Sequence, residues 1–425
     1  MEDQLSKPQG FAGGLKNPVM DTRTTKANHV LILFFTAYTI SAFFKISANI
    51  VIPVFQNRFG ISSSFSGLIS GMYYLPYAFQ QLFAAPLSRK YGASGVVAVG
   101  FVIAAAGSIL FAFASNALMV MAGRCLVGVG VGPVFVSIVQ YLTEHFTGRK
   151  FALYTGLAVT FSGFGQAVAS APLKILIERF GITNVFLYLA VIMLAVSLSL
   201  LLTGKTVTKR DSAGATEIFR QISVTGRSVI KNPVLILITL SWVFYNSIQH
   251  SYQGLWSAKW MAFAFPDKTQ LSGLSATLVS VGLMCGTFFS ERLKPNSMNR
   301  VRSTIISEYF FAISALLISL SHLTSVSVCL ICDFILGFSV GDICIQQTSY
   351  VREISDDTIS SSITGFMNFC SSLGTLFFQW VTGLSVDLLL LKRIAPKSAY
   401  LITFVVFALV NLIITVLCVH RQRKF

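Results

Sequence analysis

Four ionisable side chains, Lys45, Arg124, Glu308 and Asp342, lie within strongly apolar stretches of this chain. A charged group at bilayer depth is costly, and it usually faces the interior of a helix bundle or a water-filled cavity. Basic groups in such a place bind anions, whereas carboxyl groups take up and release protons. Lys45 and Arg124 are therefore candidate anion-binding residues, and Asp342 and Glu308 are candidate proton-coupling residues.

Each of these side chains also has a purely structural alternative. Lys45 would otherwise extend its ammonium group toward the membrane interface. Arg124 would otherwise be a hydrogen-bonding hub between packed helices. Glu308 would otherwise pair with Arg300 or Arg302 near the start of its apolar run.

Polar and aromatic side chains recur at helical spacing around the charged groups. Polar residues in lipid-depth helices turn inward, so such stripes predict the wall of a cavity. Together with Lys45 and Arg124, we expect substrate contacts from Tyr38, Asn49, Tyr245, Asn246, Gln249, Gln253, Trp256, Gln346 and Asn368. The alternative is that the amides and hydroxyls only bond to neighbouring helices, for about 0.5–1 kcal/mol each. His250 lies one residue off its stripe, and we expect it to pack instead.

The elements that carry these residues are membrane-spanning helices. Hydrophobic residues make up 54% of the 425 and charged residues only 11%, whereas about a quarter of a soluble domain is charged. Apolar runs of bilayer-spanning length recur along the chain. The twelve predicted spans lie near 29–54, 66–85, 95–114, 118–143, 151–176, 185–204, 233–258, 271–290, 303–321, 326–350, 360–386 and 399–419. This composition predicts an all-α membrane protein and excludes a soluble enzyme.

The net charge of +16 follows from topology rather than from nucleic-acid binding. With the amino terminus inside the cell, 22 of the 32 basic residues fall on the cytoplasmic side and eight on the other. This asymmetry predicts that both termini are cytoplasmic, because positively charged loops stay inside. No soluble basic face with interleaved aromatics is present, so we expect no nucleic-acid partner.

One long polar connection divides the chain into two halves of six spans each. Two such halves are typical of a carrier that holds its substrate between them at the middle of the membrane. The predicted division is a cytoplasmic tail (1–28), a first half (29–204), a cytoplasmic linker (205–232), a second half (233–419) and a cytoplasmic tail (420–425).

The glycine-rich run from Arg124 to Gly132 resembles the fourth helix of the major facilitator superfamily, whose pattern is R-x-x-x-G-x-G-x-G. The glycines would let a neighbouring helix approach closely. The loop Ala85–Ser94 resembles the family's loop between spans two and three, but it has Arg89 where that loop has an acid. The resemblance implies a fold of twelve helices in two halves that work by alternating access. It also implies gating contacts, which we assign to Arg89, Lys90, Glu144, Arg149, Glu291 and Arg292.

The predicted function is secondary transport of a small anionic or zwitterionic metabolite, similar to an organic acid or an amino acid, coupled to protons. The alternative is proton-driven efflux of drugs or other amphipathic compounds. Drug antiporters of this superfamily carry a Gly-Pro dipeptide in the fifth helix. The fifth predicted span of this chain, near 151–176, has no such dipeptide, so the resemblance favours metabolite transport. No phosphate-binding loop or nucleophile–base pair is present, so we expect no enzymatic activity and no cofactor. We expect a monomer in a bacterial inner membrane.

Overall fold

The computed structural model describes residues 22–146, 148–203, 215–290, 297–355 and 357–422, which are almost entirely helical. The helices, numbered in chain order, are α1 (Thr22–Phe59), α2 (Ser63–Gly71), α3 (Tyr74–Tyr91), α4 (Ala93–Ala112), α5 (Ala117–Val131), α6 (Val134–His145), α7 (Gly148–Val168), α8 (Ala171–Phe180), α9 (Ile182–Thr203), α10 (Ala215–Lys231), α11 (Pro233–Ser251), α12 (Ser257–Ala264), α13 (Ser272–Ser290), α14 (Ser297–Ser319), α15 (Val326–Ile354), α16 (Asp357–Leu391) and α17 (Pro396–Gln422). A π-helix, Tyr252–Trp256, joins α11 to α12. Short 3-10 helices, Pro266–Leu271 and Ser321–Leu323, precede α13 and α15.

Apart from the linker helix α10, these helices form twelve hydrophobic segments in the order that the sequence predicts, which confirms the all-α membrane fold. Nine segments in the described residues are long and apolar enough to cross a bilayer. Helix Pro233–Ala264 counts as a tenth when it is taken with Ser223–Lys231, from which it bends by 109°. The other two segments, α2–α3 and α7–α8, are interrupted at residues 72–73 and 169–170, respectively.

Prolines account for the interruptions. Proline lacks a backbone N–H and cannot continue the helical bonding pattern of the preceding turn. Pro76 lies in the first turn of α3, Pro133 separates α5 from α6, and Pro172 lies in the first turn of α8. At the break between α2 and α3, the carbonyl oxygen of Ser70 accepts a hydrogen bond from Arg124.

The glycines after Arg124 allow close helix packing, as the sequence predicts. A Cβ atom on Gly128 would overlap the carbonyl oxygen of Tyr73 in the second segment. A Cβ atom on Gly130 would likewise overlap the carbonyl oxygen of Gly100 in α4. The segment α5–α6 therefore packs backbone to backbone against two neighbours, and larger residues would push these helices apart.

The two halves meet through α2 and α3 packed on α16, through α7 on α13, and through α1 on the π-helix. We call the side where α1 begins and α17 ends the near face, and the opposite side the far face. The predicted domain boundaries stay a prediction, although α9 ends at Thr203 and α11 begins at Pro233. Helix α10 lies in the predicted linker, where Val229 packs with Ile363 and Met367 of α16. Residues 204–214 lie outside the described residues.

Candidate substrate-binding site

Lys45 lies where the two halves meet, about halfway along the first segment. Its ammonium group sits over the ring of Tyr77 in α3, 5.3 Å from the ring centre. The Tyr74 hydroxyl donates to the backbone carbonyl of Lys45 at 3.4 Å. The Tyr74 ring lies edge-on to the His250 ring of the second half, with centroids 6.3 Å apart. Lys45 is half-buried, so its ammonium group is partly shielded from water but still accessible.

The second half contributes a polar surface opposite Lys45. His250 bonds through Nδ1 to the carbonyl oxygen of Asn246 at 2.8 Å. A carbonyl group only accepts, so Nδ1 carries the hydrogen and Nε2 is left for another partner. The Cys344 thiol donates to Oδ1 of Asn246 at 3.4 Å. Lys45 is close enough to His250 and Cys344 for its charge to act on both.

Gln379 of α16 adds an amide group to this region. Its side chain is fully buried, and neither its Oε1 nor its Nε2 atom has a hydrogen-bond partner in the structure. A Cβ atom on Gly254 would lie 3.5 Å from Gln379 Nε2 and 3.4 Å from the Tyr74 hydroxyl. Gly254 belongs to the π-helix, which therefore lies beside polar groups of both halves. We call Lys45, Tyr74, Tyr77, His250 and Gln379 the central cluster.

Arg124 does not join the central cluster in this structure. Its guanidinium group donates to the carbonyl oxygens of Phe44 at 2.7 Å and Ser70 at 3.0 Å. It also lies over the ring of Tyr73, 4.8 Å from its centre. Ser70 precedes the break between α2 and α3, and its carbonyl oxygen also accepts from the backbone N–H of Tyr73 at 3.4 Å. Arg124 thus ties the fourth segment to the first and second, which is the arrangement of the packing alternative.

The polar stripe of the seventh segment divides between two directions. Gln253 donates to the carbonyl oxygen of Ala276 at 2.9 Å and to Ser280 at 2.6 Å, and accepts from Gln249. These amides therefore face α13 within the second half. The Tyr245 hydroxyl bonds Thr415 of α17 at 2.8 Å. Of the predicted stripe, only Asn246 borders the central cluster, through its bonds to His250 and Cys344.

Four more predicted substrate residues, Asn49, Trp256, Tyr38 and Asn368, lie outside the central cluster. The side chain of Asn49 bonds Ser257 and the backbone N–H of Ala258, each at 3.0 Å, and so bridges the halves. Trp256 is buried, 6.1 Å from Tyr400 between ring centres. Tyr38 stacks on Phe135 at 5.2 Å within the first half. Asn368 is half-buried on α16.

Asp342 is the centre of a hydrogen-bonded group inside the second half. Its carboxylate accepts from Ser303 at 2.8 Å, Ser307 at 2.7 Å and Ser290. Gln346 also donates to it at 3.3 Å, and its own amide oxygen accepts from Arg300 at 3.3 Å. These bonds tie α15 to α13 and α14, away from the central cluster.

Glu308 is buried between three helices of the same half. Its Oε1 accepts from the Ser241 hydroxyl at 2.6 Å, and that hydroxyl accepts from Gln347 at 2.6 Å. The structural alternative was a pair between Glu308 and Arg300 or Arg302. In the structure, Arg300 forms an ion pair with Glu353 at 2.6 Å.

The predicted near-face gating residues are only partly described. Arg89 and Lys90 lie in the last turn of α3, and Lys90 sits over the ring of Tyr91 at 5.1 Å. Glu144 is exposed and accepts from Gln140 at 2.7 Å. The side chain of Arg149 and residues Glu291 and Arg292 lie outside the described part of the chain.

The far face is closed by hydrogen bonds between the halves. Asp387 of α16 accepts from the backbone N–H groups that begin α2, and Ser63 bonds the Tyr400 hydroxyl at 2.9 Å. Lys259 donates to Gln56 at 2.7 Å. Lys174 donates to the carbonyl oxygen of Thr269 at 2.7 Å.

Sequence reasoning did not assign Tyr74, Tyr77, His250, Gln379 or Asp387 to the site. Tyr77 and Gln379 lie on polar stripes of their own segments, which is a usable signal. His250 lies four residues from Asn246, and that spacing places both on one face of a helix. Within the described ranges, no group of three or more His, Cys, Asp or Glu residues could hold a metal ion.

A bundle of twelve hydrophobic helices, in two halves that meet around a cluster of polar groups, is the architecture of a membrane carrier. The chain belongs to the Major Facilitator Superfamily, whose family profile matches residues 34–379. A bacterial homologue of the human lysosomal transporter Spinster, solved in an inward-facing and unoccupied conformation, has the same fold. It matches with a TM-score of 0.75 and 15% identity, over 94% of this chain and 98% of that one.

Proteins of similar sequence are also named as transporters. The hexuronate transporter of Bacillus subtilis is 21% identical over 380 residues, which cover 84% of this chain and 87% of that protein. The probable sulfoacetate transporter SauU of Cupriavidus necator is 21% identical over 170 residues, 40% of each chain. Human monocarboxylate transporter 11 is 33% identical over 153 residues, 35% of this chain and 31% of that one. The chain therefore matches less than half the length of the last two relatives.

Proposed function

We propose that this protein carries a small anionic or zwitterionic metabolite, of the organic-acid or amino-acid kind, across the membrane by alternating access. The observation that carries the proposal is the position of Lys45. It places a half-buried positive charge at the interface of the halves, beside Tyr77 and within electrostatic reach of His250 and Cys344. A positive charge sheltered from water binds a carboxylate more strongly than an exposed one does.

The different surroundings of the two mid-span basic residues, Arg124 and Lys45, support the binding of an anion at Lys45. Arg124 donates to two backbone carbonyl groups and so acts as a positioning residue. Lys45 is left to meet the substrate anion, while Tyr74, His250 and Gln379 offer hydrogen bonds to hydroxyl or amino groups on the same molecule. Hexuronate and sulfoacetate, named for two of the relatives, are small anions that also bear polar oxygen atoms.

Alternating access requires the far-face bonds to break and re-form in each cycle. Asn49, Lys259 and Asp387 hold that face closed in the present state. Substrate in this state would reach Lys45 from the near face, where the predicted gating residues Arg89 and Glu144 lie. The basic asymmetry of the loops supports a cytoplasmic near face, and the proposal places the protein in a bacterial inner membrane.

Proton coupling is part of the proposal. Asp342 and Glu308 are buried carboxyl groups, bonded to serine hydroxyls on α13 and α14 and on α11, respectively. A change of protonation at either would alter how the helices of the second half are held together. That coupling of charge to helix packing is what a proton-driven conformational change needs.

The test is binding of a carboxylate and its neutral ester to purified protein. Glucuronate and its methyl ester are a suitable pair, alongside sulfoacetate and small monocarboxylates, and stabilisation against heat reports binding. We expect Lys45→Gln to weaken acid binding about tenfold or more, because one charge-assisted hydrogen bond is lost. Lys45→Arg keeps the charge and serves as the control. Equal loss for acid and ester, or transport of lipophilic cations instead, would overturn the proposal in favour of drug efflux.

A further inference from the structure

A second cavity, of about 60 Å³, lies inside the second half, separate from the central cluster. It is lined by parts of α11, the π-helix and α14–α17, and its walls include Ile248, Leu336, Phe378, Phe404 and Phe407. A site that encloses a whole drug-sized molecule has about 300–1,000 Å³, so this cavity of about 60 Å³ holds one end of a molecule rather than all of it. Among the described residues that line it, none is charged, so it suits an uncharged and largely apolar molecule.

Two hydrogen-bond donors on the cavity wall have no partner. They are the indole N–H of Trp256 and the side-chain N–H₂ of Asn411. Their residues are 2% and 1% exposed. Buried polar groups in proteins are nearly always hydrogen-bonded, and a buried indole N–H usually finds an acceptor. Two such donors on one wall therefore indicate a ligand oxygen atom.

The hydroxyl groups on the same wall are already partnered. Ser319 and Thr382 donate to carbonyl oxygens of their own helices, at 2.8 Å and 2.6 Å. Ser251 donates to Thr375, and Tyr252 donates to Asp333. The wall thus offers donors from Trp256 and Asn411 to a molecule that brings an acceptor.

The cavity extends toward the lipid-facing side of the half. Phe378, Phe404 and Phe407 are half-buried rather than buried, and the adjacent Phe377 and Val406 are 53% and 50% exposed. Large apolar side chains exposed on a membrane protein face lipid. A molecule dissolved in the bilayer therefore has a short path to the cavity.

We propose that this cavity binds a neutral lipophilic molecule with a carbonyl oxygen, such as an acyl ester, which accepts from Trp256 and Asn411. The ester belongs either to a membrane phospholipid or to a free lipophile. Trp256 ends the π-helix whose Gly254 faces the central cluster, so the ligand would contact the segment that connects both sites. The site is independent of the proposed transport substrate, which is an anion.

Purified full-length protein in nanodiscs of ether-linked phospholipid, which lack acyl esters, tests the proposal. We expect methyl octanoate to raise the melting temperature and nonane, a hydrocarbon of similar length, to raise it less. Trp256→Phe and Asn411→Leu should each weaken binding of methyl octanoate about fivefold, the size of one hydrogen bond. Trp242→Phe is the matched control, because its indole N–H is also buried without a partner but lies outside the cavity.

A second arm distinguishes the two sources of the ester. If the phospholipid itself is the ligand, wild-type protein is more stable in ester-linked than in ether-linked nanodiscs, and Trp256→Phe removes the difference. If a free lipophile is the ligand, the two lipids give equal stability and methyl octanoate stabilises in both. The proposal is overturned if ester and hydrocarbon act alike, or if Trp242→Phe weakens ester binding as much as Trp256→Phe does.

Discussion

The Asp387 carboxylate accepts a hydrogen bond of 2.7 Å from the backbone N–H of Ser64, across the boundary between the two halves. Its other oxygen accepts from the backbone N–H of Ser63 at 2.9 Å. These N–H groups begin α2, where helical N–H groups lack partners within the helix and the helix dipole is positive. One carboxylate of the second half therefore caps a helix of the first and helps to close the far face.

Replacing this carboxylate should open the far face more often. Asp387→Asn keeps the shape but removes the charge, so at most one helix-terminal N–H keeps an acceptor of reduced strength. We expect a loss of about 1.4 kcal/mol, or a tenfold rise in the far-face-open population. The reaction rate of a cysteine at position 257 with an impermeant maleimide measures this, in a background without other cysteines.

Asp267→Asn provides the control for that experiment. Asp267 is an exposed acid of the far-face 3-10 helix Pro266–Leu271, so its removal changes the same surface charge without touching α2. An equal labelling rate at position 257 in wild type and Asp387→Asn would mean that this cap does not hold the far face closed.

Arg124 should matter for stability more than for substrate choice. Its planar guanidinium group reaches the carbonyl oxygens of Phe44 and Ser70 together, which a lysine ammonium group cannot do in the same geometry. Arg124→Lys should therefore lower stability by about 3 kcal/mol. It should weaken binding of a carboxylate and of its ester to the same extent. Thermal unfolding and the acid–ester binding pair measure the two effects.

Arg58→Lys is the matched arginine control, since Arg58 is exposed near the end of α1. It should leave stability unchanged within about 0.5 kcal/mol. If Arg124→Lys is as stable as wild type but loses carboxylate binding and keeps ester binding, Arg124 contacts the substrate instead.

The predicted topology can be checked on two exposed positions. Arg227 lies on α10 at the near face, and Asp267 lies at the far face. In cells that express cysteine-free protein, Asp267→Cys should react with an impermeant reagent from outside. Arg227→Cys should react only after the membrane is permeabilised. Labelling of position 227 in intact cells would contradict the cytoplasmic assignment of the linker.

The fold was largely predictable because its signals are local. Each segment needs an apolar run of bilayer length, and Pro76, Pro133 and Pro172 mark where segments break. The π-helix Tyr252–Trp256 was not predictable in this way. It depends on how the seventh segment fits against its neighbours, which no local pattern records.

The site was predictable only in part. Lys45 is evident because few structural roles suit a mid-span lysine. The seventh segment carries polar groups on two faces, Asn246 with His250 and Gln249 with Gln253, and sequence does not determine which face meets Lys45. The role of Asp387 was not predictable from the sequence, because its partners are backbone N–H groups more than 300 residues earlier in the chain.

Coupling experiments can test Asp342 and Glu308, two buried carboxyl groups of the second half, one at a time. Asp342→Asn retains a polar side chain among Ser290, Ser303 and Ser307, so we expect the protein to fold. It cannot exchange a proton, so uphill accumulation driven by a pH gradient should be abolished while exchange of internal for external substrate persists. Ser241 donates to Glu308, and Glu308→Gln keeps a polar side chain beside it. If both acids couple protons to transport, Glu308→Gln should also lose uphill accumulation and keep exchange.

Reconstituted vesicles with an imposed pH gradient measure accumulation, and vesicles preloaded with unlabelled substrate measure exchange. Glu178→Gln is the control, because Glu178 is an exposed acid at the end of α8. It should accumulate substrate as wild type does. If Asp342→Asn still concentrates substrate while Glu308→Gln does not, Glu308 alone is the coupling group and Asp342 serves to hold α13, α14 and α15 together. If both variants concentrate substrate at the wild-type level, neither acid couples protons to transport.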